Sequence, residues 1–445
     1  MPTTICALAT PTGGALAIIR ISGPQSHEVL CSVCSNANTS KTRFLSPITD
    51  EAGTLIDEVL VSVFHAPHSY TGEDAVEISC HGSQYIVRRI LDLLIQKGCQ
   101  MAQSGEYTQR AFLNGKLDLS QAEAVADLIA STNKATHDMA MSQLRGHFSC
   151  ELAQLRDQLL RLTSLLELEL DFSDHEDLEF ADRTELLELA NKIDKHITRL
   201  AQTFKMGQAM KEGIPVAIVG KTNVGKSTLL NRLLHEERAI VSDIHGTTRD
   251  TIEDTIDIRG IQFRFIDTAG LRQTTDTIEK IGIERTFATI QKARIILWLF
   301  DEAPSAEEIA DMQKRCEGKQ LLIIQNKIDK NENTSIFHLP SSILKISAKH
   351  GQGIEDLETA IYKAADIPEF TENDVIVTNA RHYEALMHAS DNLARVIESL
   401  EMGISGDLVA EDLRIVLSTL GEITGGTITS QETLSNIFSH FCVGK

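Results

Sequence analysis

Apolar positions along the chain change their period three times, and each change marks a new kind of element. Leu152, Leu155, Leu159, Leu162, Leu166 and Leu170 recur at three- and four-residue steps. That spacing winds them into one stripe and predicts a long amphipathic helix. Residues 84–96 repeat the pattern with Ile86, Ile90, Leu93 and Leu94. Shorter apolar runs at 5–10 and 17–22 predict strands separated by the turn Pro11-Thr12-Gly13-Gly14, and 59–64 and 75–80 predict two more. Up to about 116 the chain therefore reads as a small α+β unit. From 118 to 212 it is nearly all helical: proline is absent, and leucine, alanine and glutamate dominate. The acidic stretch 171–179 is expected to end one helix, and Thr184, with Glu188 in the first turns, to cap a second that runs to about Lys211. Gly213-Ile214-Pro215 opens an alternation of strands and helices that lasts to Asp366, and Ile367-Pro368 marks its end. Helices resume over 379–401, 406–420 and 431–440.

The economical architecture is multidomain, α/β plus all-α. An N-terminal α+β domain (1–117) precedes a helical domain in two parts (118–212 and 367–445), with an α/β domain (213–366) inserted between them. Hydrophobic residues make up 42% of the 445 and charged residues 24%, the profile of a soluble globular protein. No run of about 18 uncharged apolar residues and no signal-peptide pattern occurs, so a cytoplasmic protein without membrane contact is expected. The eight cysteines then stay reduced. Cys31 and Cys34 form a CxxC with no second Cys/His pair at zinc-site spacing. The net charge of −21 repels nucleic acid over most of the surface, so any RNA is held by a local basic patch or by a partner.

Chemistry concentrates in the inserted domain. The apolar run 215–219 leads into Gly220-Lys221-Thr222-Asn223-Val224-Gly225-Lys226-Ser227, which fits GxxxxGKS. Glycines let backbone N–H groups curl around phosphate oxygens. Lys226 supplies a charge to the β- and γ-phosphates and Ser227 a hydroxyl to magnesium, and Thr228 belongs to the same GTP-binding set. The strand 261–266 is followed by Asp267-Thr268-Ala269-Gly270, which places a carboxylate near magnesium and a glycine N–H near the γ-phosphate. The strand 321–325 ends in Asn326-Lys327-Ile328-Asp329, which resembles the NKxD motif of GTPases. Its aspartate accepts from N1 and the 2-amino group of guanine, a donor pair adenine lacks. Ser347-Ala348-Lys349 follows the strand 343–346, as in the SAK loop of that superfamily. Order and context agree on a Ras-like P-loop GTPase domain that binds GTP and Mg2+.

Between the P-loop and Asp267 lies Gly246-Thr247-Thr248-Arg249-Asp250, similar to the switch I of translation-factor-related GTPases, with Thr248 as the second magnesium hydroxyl. Ras-like proteins place a water-orienting glutamine after the DxxG glycine, and here that place holds Leu271. Two residues offer another route. Asn223 sits where potassium-activated GTPases ligate a monovalent cation, or else it only stabilises its loop. Glu279 is an acid that orients water, or else a solvated helix residue. Arg249 and Arg272 read as partners of local carboxylates.

Three further segments carry a wider likeness: Thr71-Gly72-Glu73-Asp74 with Glu77 and Cys80-His81-Gly82, then the stretch 106–119, and last Phe441-Cys442-Val443-Gly444-Lys445. With the G motifs they make nearly the whole chain resemble the MnmE (TrmE) family of tRNA modification GTPases. The resemblance implies a folate-binding-like N-terminal domain that forms a homodimer, and G domains that meet across potassium-loaded faces. It implies a complex, heterotetrameric or larger, with the FAD-dependent partner MnmG (GidA). That complex adds a carboxymethylaminomethyl or aminomethyl group to C5 of wobble uridine 34 in certain tRNAs. The carbon comes from 5-formyltetrahydrofolate or 5,10-methylenetetrahydrofolate.

Matched residue by residue, folate falls to Arg20, Glu77, Lys116 and Lys445, potassium to Asn223, Ser242, Ile244 and Thr247, and magnesium to Ser227 and Thr248. The water-positioning acid falls to Glu279, and the nucleotide loops also take in Asp243 and His245. Cys442 lies either near the modification chemistry or in a thiol anchor for the tail. Thr222, Ser242, His245 and Val443 depart from the residues usual at their places without removing a required functional group. Two rivals remain: a ribosome-assembly GTPase of the Era or Der type, and a one-carbon transferase whose G domain only regulates access. The former appends a KH-like module, and no GxxG clamp between basic residues follows 379.

Overall fold

The computed structural model describes residues 3–171, 183–238, 254–266, 289–330, 343–367, 374–404, 406–426, 431–439, 441 and 444. These fall into two compact units. The first comprises Met1–Ala130, Ala140–Ile197 and Glu384–Lys445, and the second Ser131–Met139 with Thr198–Tyr383.

The first unit begins with β1 (Ile5–Leu8), β2 (Leu16–Ser22), α1 (Ser26–Val33), β3 (Arg43–Thr49), β4 (Leu55–Phe64), β5 (Ala75–His81), α2 (Gln84–Gln96), β6 (Gln100–Met101) and α3 (Glu106–Leu113). Its six strands lie in the order β3-β4-β5-β2-β1-β6. All neighbours are antiparallel except the β1–β6 pair. Period two explains which face is covered. Ala17, Ile19 and Ile21 of β2, Val59, Val61 and Val63 of β4, and Val76, Ile78 and Cys80 of β5 form one buried face. Val29, Leu30 and Val33 of α1 and Val87, Ile90, Leu93 and Leu94 of α2 pack onto it. Arg20 and Glu77 belong to the other parity, so the same alternation that builds the core sends both to the opposite face, directly across from each other in the β2–β5 ladder.

Helices α4 (Leu119–Ala130), α5 (Lys134–Leu144), α6 (His147–Asp171) and α7 (Arg183–Gln202) follow. Leu152, Leu155, Leu159, Leu162 and Leu166 are all buried, as the stripe requires, while Leu170 and the acidic stretch beyond Asp171 lie outside the described side chains. The C-terminal helix Gly406–Thr424 packs against α6 and α4. Helix Ala380–Glu401 is tied to α7 where Ser390 donates to Asp194 Oδ1 at 2.8 Å. Helix Gln431–Ser439 docks Leu434 and Phe438 on Leu119 and Ala122, joined there by Phe441.

One expectation is corrected here. The second helix starts no later than Arg183, so Thr184 lies inside it, and it does not run on to Lys211. Thr203 breaks it, and α8 (Phe204–Glu212) begins anew. The Thr203 hydroxyl donates to Leu200 O at 2.7 Å and accepts from Val377 N at 2.9 Å. The break also lets Gly207 lie against Val377 O, where an added Cβ would stand 2.4 Å away.

The second unit is a three-layer α/β fold built on β7 (Ile214–Val219), α9 (Lys226–Arg238), β8 (Asp254–Ile258), β9 (Ile261–Phe265), β10 (Ile295–Phe300), α10 (Ala306–Arg315), β11 (Gln320–Gln325), β12 (Leu344–Lys345) and α11 (Ile354–Ala364). The sheet order is β12-β11-β10-β7-β9-β8, parallel throughout except for β8–β9. Both faces are covered, so β7 and β10 read as unbroken apolar runs. Val216, Ile218, Leu297 and Leu299 meet Leu229, Leu230 and Leu233 of α9 and Leu357 and Ile361 of α11. Ala217, Val219, Ile296 and Trp298 meet Ile290, Ile309 and Cys316 on the other side. The loop after β7 therefore opens where successive connections leave to opposite sides of the sheet, the place where such folds bind nucleotides.

Candidate functional site

The chain leaves β7 through Gly220 at φ +155 and re-enters helix after Gly225 at φ +100. A Cβ on Gly220 would lie 2.3 Å from Leu299 O, and one on Gly225 would lie 2.3 Å from Asn326 Nδ2. Both places thus demand glycine for space as well as for φ. Asn223 takes φ +65, a left-handed conformation that asparagine tolerates better than most residues. Lys226, Ser227 and Thr228 open α9, so the N-terminus of that helix lies at the end of the loop. Lys226 Nζ donates to Gly220 O and to Lys221 O, 2.7 Å each. Burial holds its pKa below the usual lysine range. The loop thus holds an ammonium group beside the N-terminus of α9.

The loop after β11 is joined to the loop after β7 by one buried amide. Asn326 Nδ2 donates to Val224 O at 2.8 Å, and its Oδ1 accepts from Ala348 N at 3.0 Å. P-loop and SAK loop are therefore fixed at one spacing. Asp329 Oδ1 accepts from the Ser347 hydroxyl at 2.7 Å, which orients the carboxylate and holds its pKa below the ordinary carboxylate value. Lys327, at φ +63, pairs with Asp301 at 2.8 Å. That contact keeps Asp301 ionised at lower pH than usual.

Two contributors carry no sequence signal. Asp301 follows β10 outside any motif. Arg232, on α9, donates to Ala348 O at 3.3 Å and to Lys349 O at 2.7 Å, bracing the SAK loop from the helix that begins at the phosphates. Among the expected nucleotide ligands, Asn223, Val224, Gly225, Lys226, Ser227, Thr228, Asn326, Lys327, Asp329, Ser347, Ala348 and Lys349 are described and come together. Ser242, Asp243, Ile244, His245, Gly246, Thr247, Thr248, Asp267, Thr268, Ala269, Gly270 and Glu279 lie outside the described residues.

A second site occupies the polar face of the N-terminal sheet. Arg20 Nε and Glu77 Oε1 are 2.8 Å apart and flank a cavity of about 150 Å³, which Ser69, Tyr70, Thr71 and Tyr107 also line. The 69–74 loop is held by side chains from elsewhere. Ser22 Oγ lies 2.7 Å from Thr71 Oγ1 and donates to Glu73 Oε2 at 2.8 Å. Arg110 pairs with Glu73 at 3.1 Å and with Glu106 at 2.8 Å. Asn114 Nδ2 donates to Thr71 O at 2.7 Å, and Lys116 Nζ donates to Pro67 O at 3.0 Å. Tyr107 donates its hydroxyl to Arg20 O at 2.9 Å.

The C-terminus reaches the same place. Gly444 O accepts from Arg20 Nη1 at 3.3 Å, and Gly444, at φ +92, lies so close to β1 that a Cβ would stand 2.3 Å from Leu8 O. The segments 71–77 and 106–119 and the residues Phe441 and Gly444, far apart in sequence, are thus neighbours. Cys442 and Lys445 lie outside the described residues.

Residues 4–116 match the family model "GTP-binding protein TrmE N-terminus", and residues 119–442 match "MnmE helical domain". The chain belongs to the MnmE family. Relatives named "tRNA modification GTPase MnmE" include proteins of Phocaeicola vulgatus, 54% identical over 99% of both chains, and Flavobacterium johnsoniae, 52% identical over 99% of both. A third, from Porphyromonas gingivalis, is 50% identical over 99% of this chain and 98% of its own. The likeness thus runs along nearly the whole length of each relative. Among the described residues no helix is long and apolar enough to cross a membrane.

Proposed function

We propose that this chain is a potassium-activated GTPase that drives one-carbon-dependent modification of the wobble uridine in tRNA. The coarse statement, a GTPase of tRNA modification, follows from membership in the family. One observation carries the nucleotide part: the Asn326 amide fixes a glycine-lined phosphate cradle at a set distance from the Asp329 carboxylate. A cation and helix N–H groups at one end and a lone carboxylate at the other suit triphosphate and guanine, and exclude adenine by hydrogen-bond polarity.

The finer reading adds ions. Ser227 and Thr248 would hold Mg2+, which supplies charge neutralisation to the phosphates. Asn223 with Ser242, Ile244 and Thr247 would hold K+, which supplies the charge of an arginine finger. The left-handed Asn223 fits a ligand that turns its side chain toward the phosphates. Glu279 would orient the attacking water. Replacing potassium by sodium is expected to slow GTP turnover at least about tenfold. Equal rates in the two salts would remove the cation from the reaction.

The cavity beside Arg20 and Glu77 suits a tetrahydrofolate, which supplies the one-carbon unit when bound. Glu77 offers an acceptor for the amino and ring N–H donors of a pterin. Arg20, Lys116 and Lys445 offer cations to the carboxylates of a glutamate tail. The C-terminal segment at Arg20 supports a shared role for tail and pocket. Homodimerisation, partnership with an FAD-dependent MnmG (GidA), tRNA held through that complex, and a cytoplasmic setting belong to the same proposal. The negative net charge supports the view that a partner carries most of the RNA contact.

The test is mass spectrometry of tRNA nucleosides from cells that carry the chain, lack it, or carry Asp267→Asn. Loss of the carboxymethylaminomethyl or aminomethyl group at wobble uridine in both altered strains is the expected result. Intact modification in the Asp267→Asn strain would favour a one-carbon transferase whose G domain is regulatory.

A further inference from the structure

One cluster of side chains belongs to neither site. β2 ends, β4 ends and β5 begins at the same edge of the N-terminal sheet. There His27 of α1, His65 after β4 and Asp74 before β5 bring their ligating atoms within 4.8 Å of one another. The two imidazoles meet edge to face with centroids 4.8 Å apart, and His27 Nδ1 stands 3.8 Å from Asp74 Oδ2.

The remaining atoms of the trio are arranged as a ligand set needs. His65 Nε2 lies 3.1 Å from Thr39 O, which fixes the tautomer with the proton on Nε2 and leaves Nδ1 a free lone pair. Asp74 Oδ1 accepts from Ala66 N at 2.9 Å, which leaves Oδ2 open. His27 is the unexplained member. Its Nε2 is buried without a hydrogen-bond partner, and its Nδ1 is too far from Asp74 for a hydrogen bond. A buried polar atom left so costs about 1–3 kcal/mol.

We propose that His27, His65 and Asp74 form a binding site for a zinc-class divalent cation. Two imidazoles and one carboxylate without a thiolate suit Zn2+, Co2+ or Ni2+ better than Mg2+, Ca2+ or Cu(I). Metal–ligand bonds of about 2.0–2.1 Å set ligand atoms about 3.3 Å apart, so an ion draws the trio in from its present spacing of up to 4.8 Å. The three protein ligands leave one position open. The ion staples α1 to both ends of the 65–74 loop, whose Ser69, Tyr70 and Thr71 line the Arg20–Glu77 cavity. It therefore stiffens one wall of that cavity whatever ligand the cavity takes.

The test uses the full chain, stripped with a chelator, held in excess Mg2+, and titrated with Zn2+ by calorimetry and with Co2+ by visible absorption. His65→Ala removes an exposed ring and should leave GTP turnover and fold intact. Asp74→Asn removes the anionic ligand. The wild-type chain is expected to bind one equivalent more Zn2+ than His65→Ala. Its Co2+ bands should be those of nitrogen and oxygen ligation and should vanish in His65→Ala, and Asp74→Asn should bind at least about tenfold more weakly. Equal stoichiometry and affinity in wild type and His65→Ala would overturn the site. So would a thiolate-to-cobalt band that persists in His65→Ala, which would place the ion on cysteine.

Discussion

Asp329→Asn should invert the base preference of the G domain: affinity for GTP and GDP falls roughly 10³-fold, and xanthosine triphosphate becomes the better ligand. The Asp329 carboxylate is fixed by the Ser347 hydroxyl at 2.7 Å and offers only acceptors to the base. Guanine brings two donors, N1–H and the 2-amino group. Asparagine keeps an oxygen for Ser347 and N1–H but turns an NH2 toward the guanine amino group, donor against donor. Xanthine carries an oxygen there and restores the match. Because the Ser347 bond lowers the Asp329 pKa below its ordinary 3.8, the charged form persists as pH falls. GDP affinity of the wild-type chain should stay flat from about pH 8 to about pH 5 as far as this group decides it. Fluorescent-nucleotide titration reads both effects. A variant that still prefers GTP would mean that the base is read elsewhere.

How much of this was legible in the sequence depends on range. The P-loop was legible because its residues are contiguous: Gly220 and Gly225 take φ of +155 and +100 within one eight-residue motif, although the atoms that crowd them, Leu299 O and Asn326 Nδ2, lie far along the chain. The leucine stripe of α6 and the strands β2, β4 and β5 were legible because burial on one face prints its period on the chain. Several other elements escaped. β10 is buried on both faces and shows no alternation, β3 carries Pro47 and an exposed Leu45, and the break at Thr203 is set by Val377, far along the chain. In the sites the same boundary holds. Resemblance named Arg20 and Glu77, but only the β2–β5 register makes them a pair, and only the fold brings Gly444 to Arg20 across 424 residues. Arg232 and Asp301 look like ordinary surface charges, because their partners are backbone atoms or lie outside their own segment.

Lys226→Ala should lower kcat/KM for GTP by roughly 10³-fold, about 4 kcal/mol of transition-state stabilisation. Lys226 Nζ now rests on Gly220 O and Lys221 O, half-buried, in a place where burial disfavours its charge. A phosphate anion relieves that penalty and takes up the ammonium, so the lysine contributes more to the liganded state than to the empty one. Two measurements separate this from a folding defect. Thermal unfolding of the nucleotide-free variant should stay near wild type, since alanine is a good helix former and the Lys221 carbonyl it frees is at an exposed position. With GDP at about 100 times the wild-type Kd, the wild-type chain should gain about 2.7 kcal/mol, and the variant should gain almost none. Wild-type turnover in Lys226→Ala would show that this cation does not act on the phosphates. A large loss of stability without nucleotide would show that its bonds to Gly220 and Lys221 hold the loop together rather than wait for a ligand.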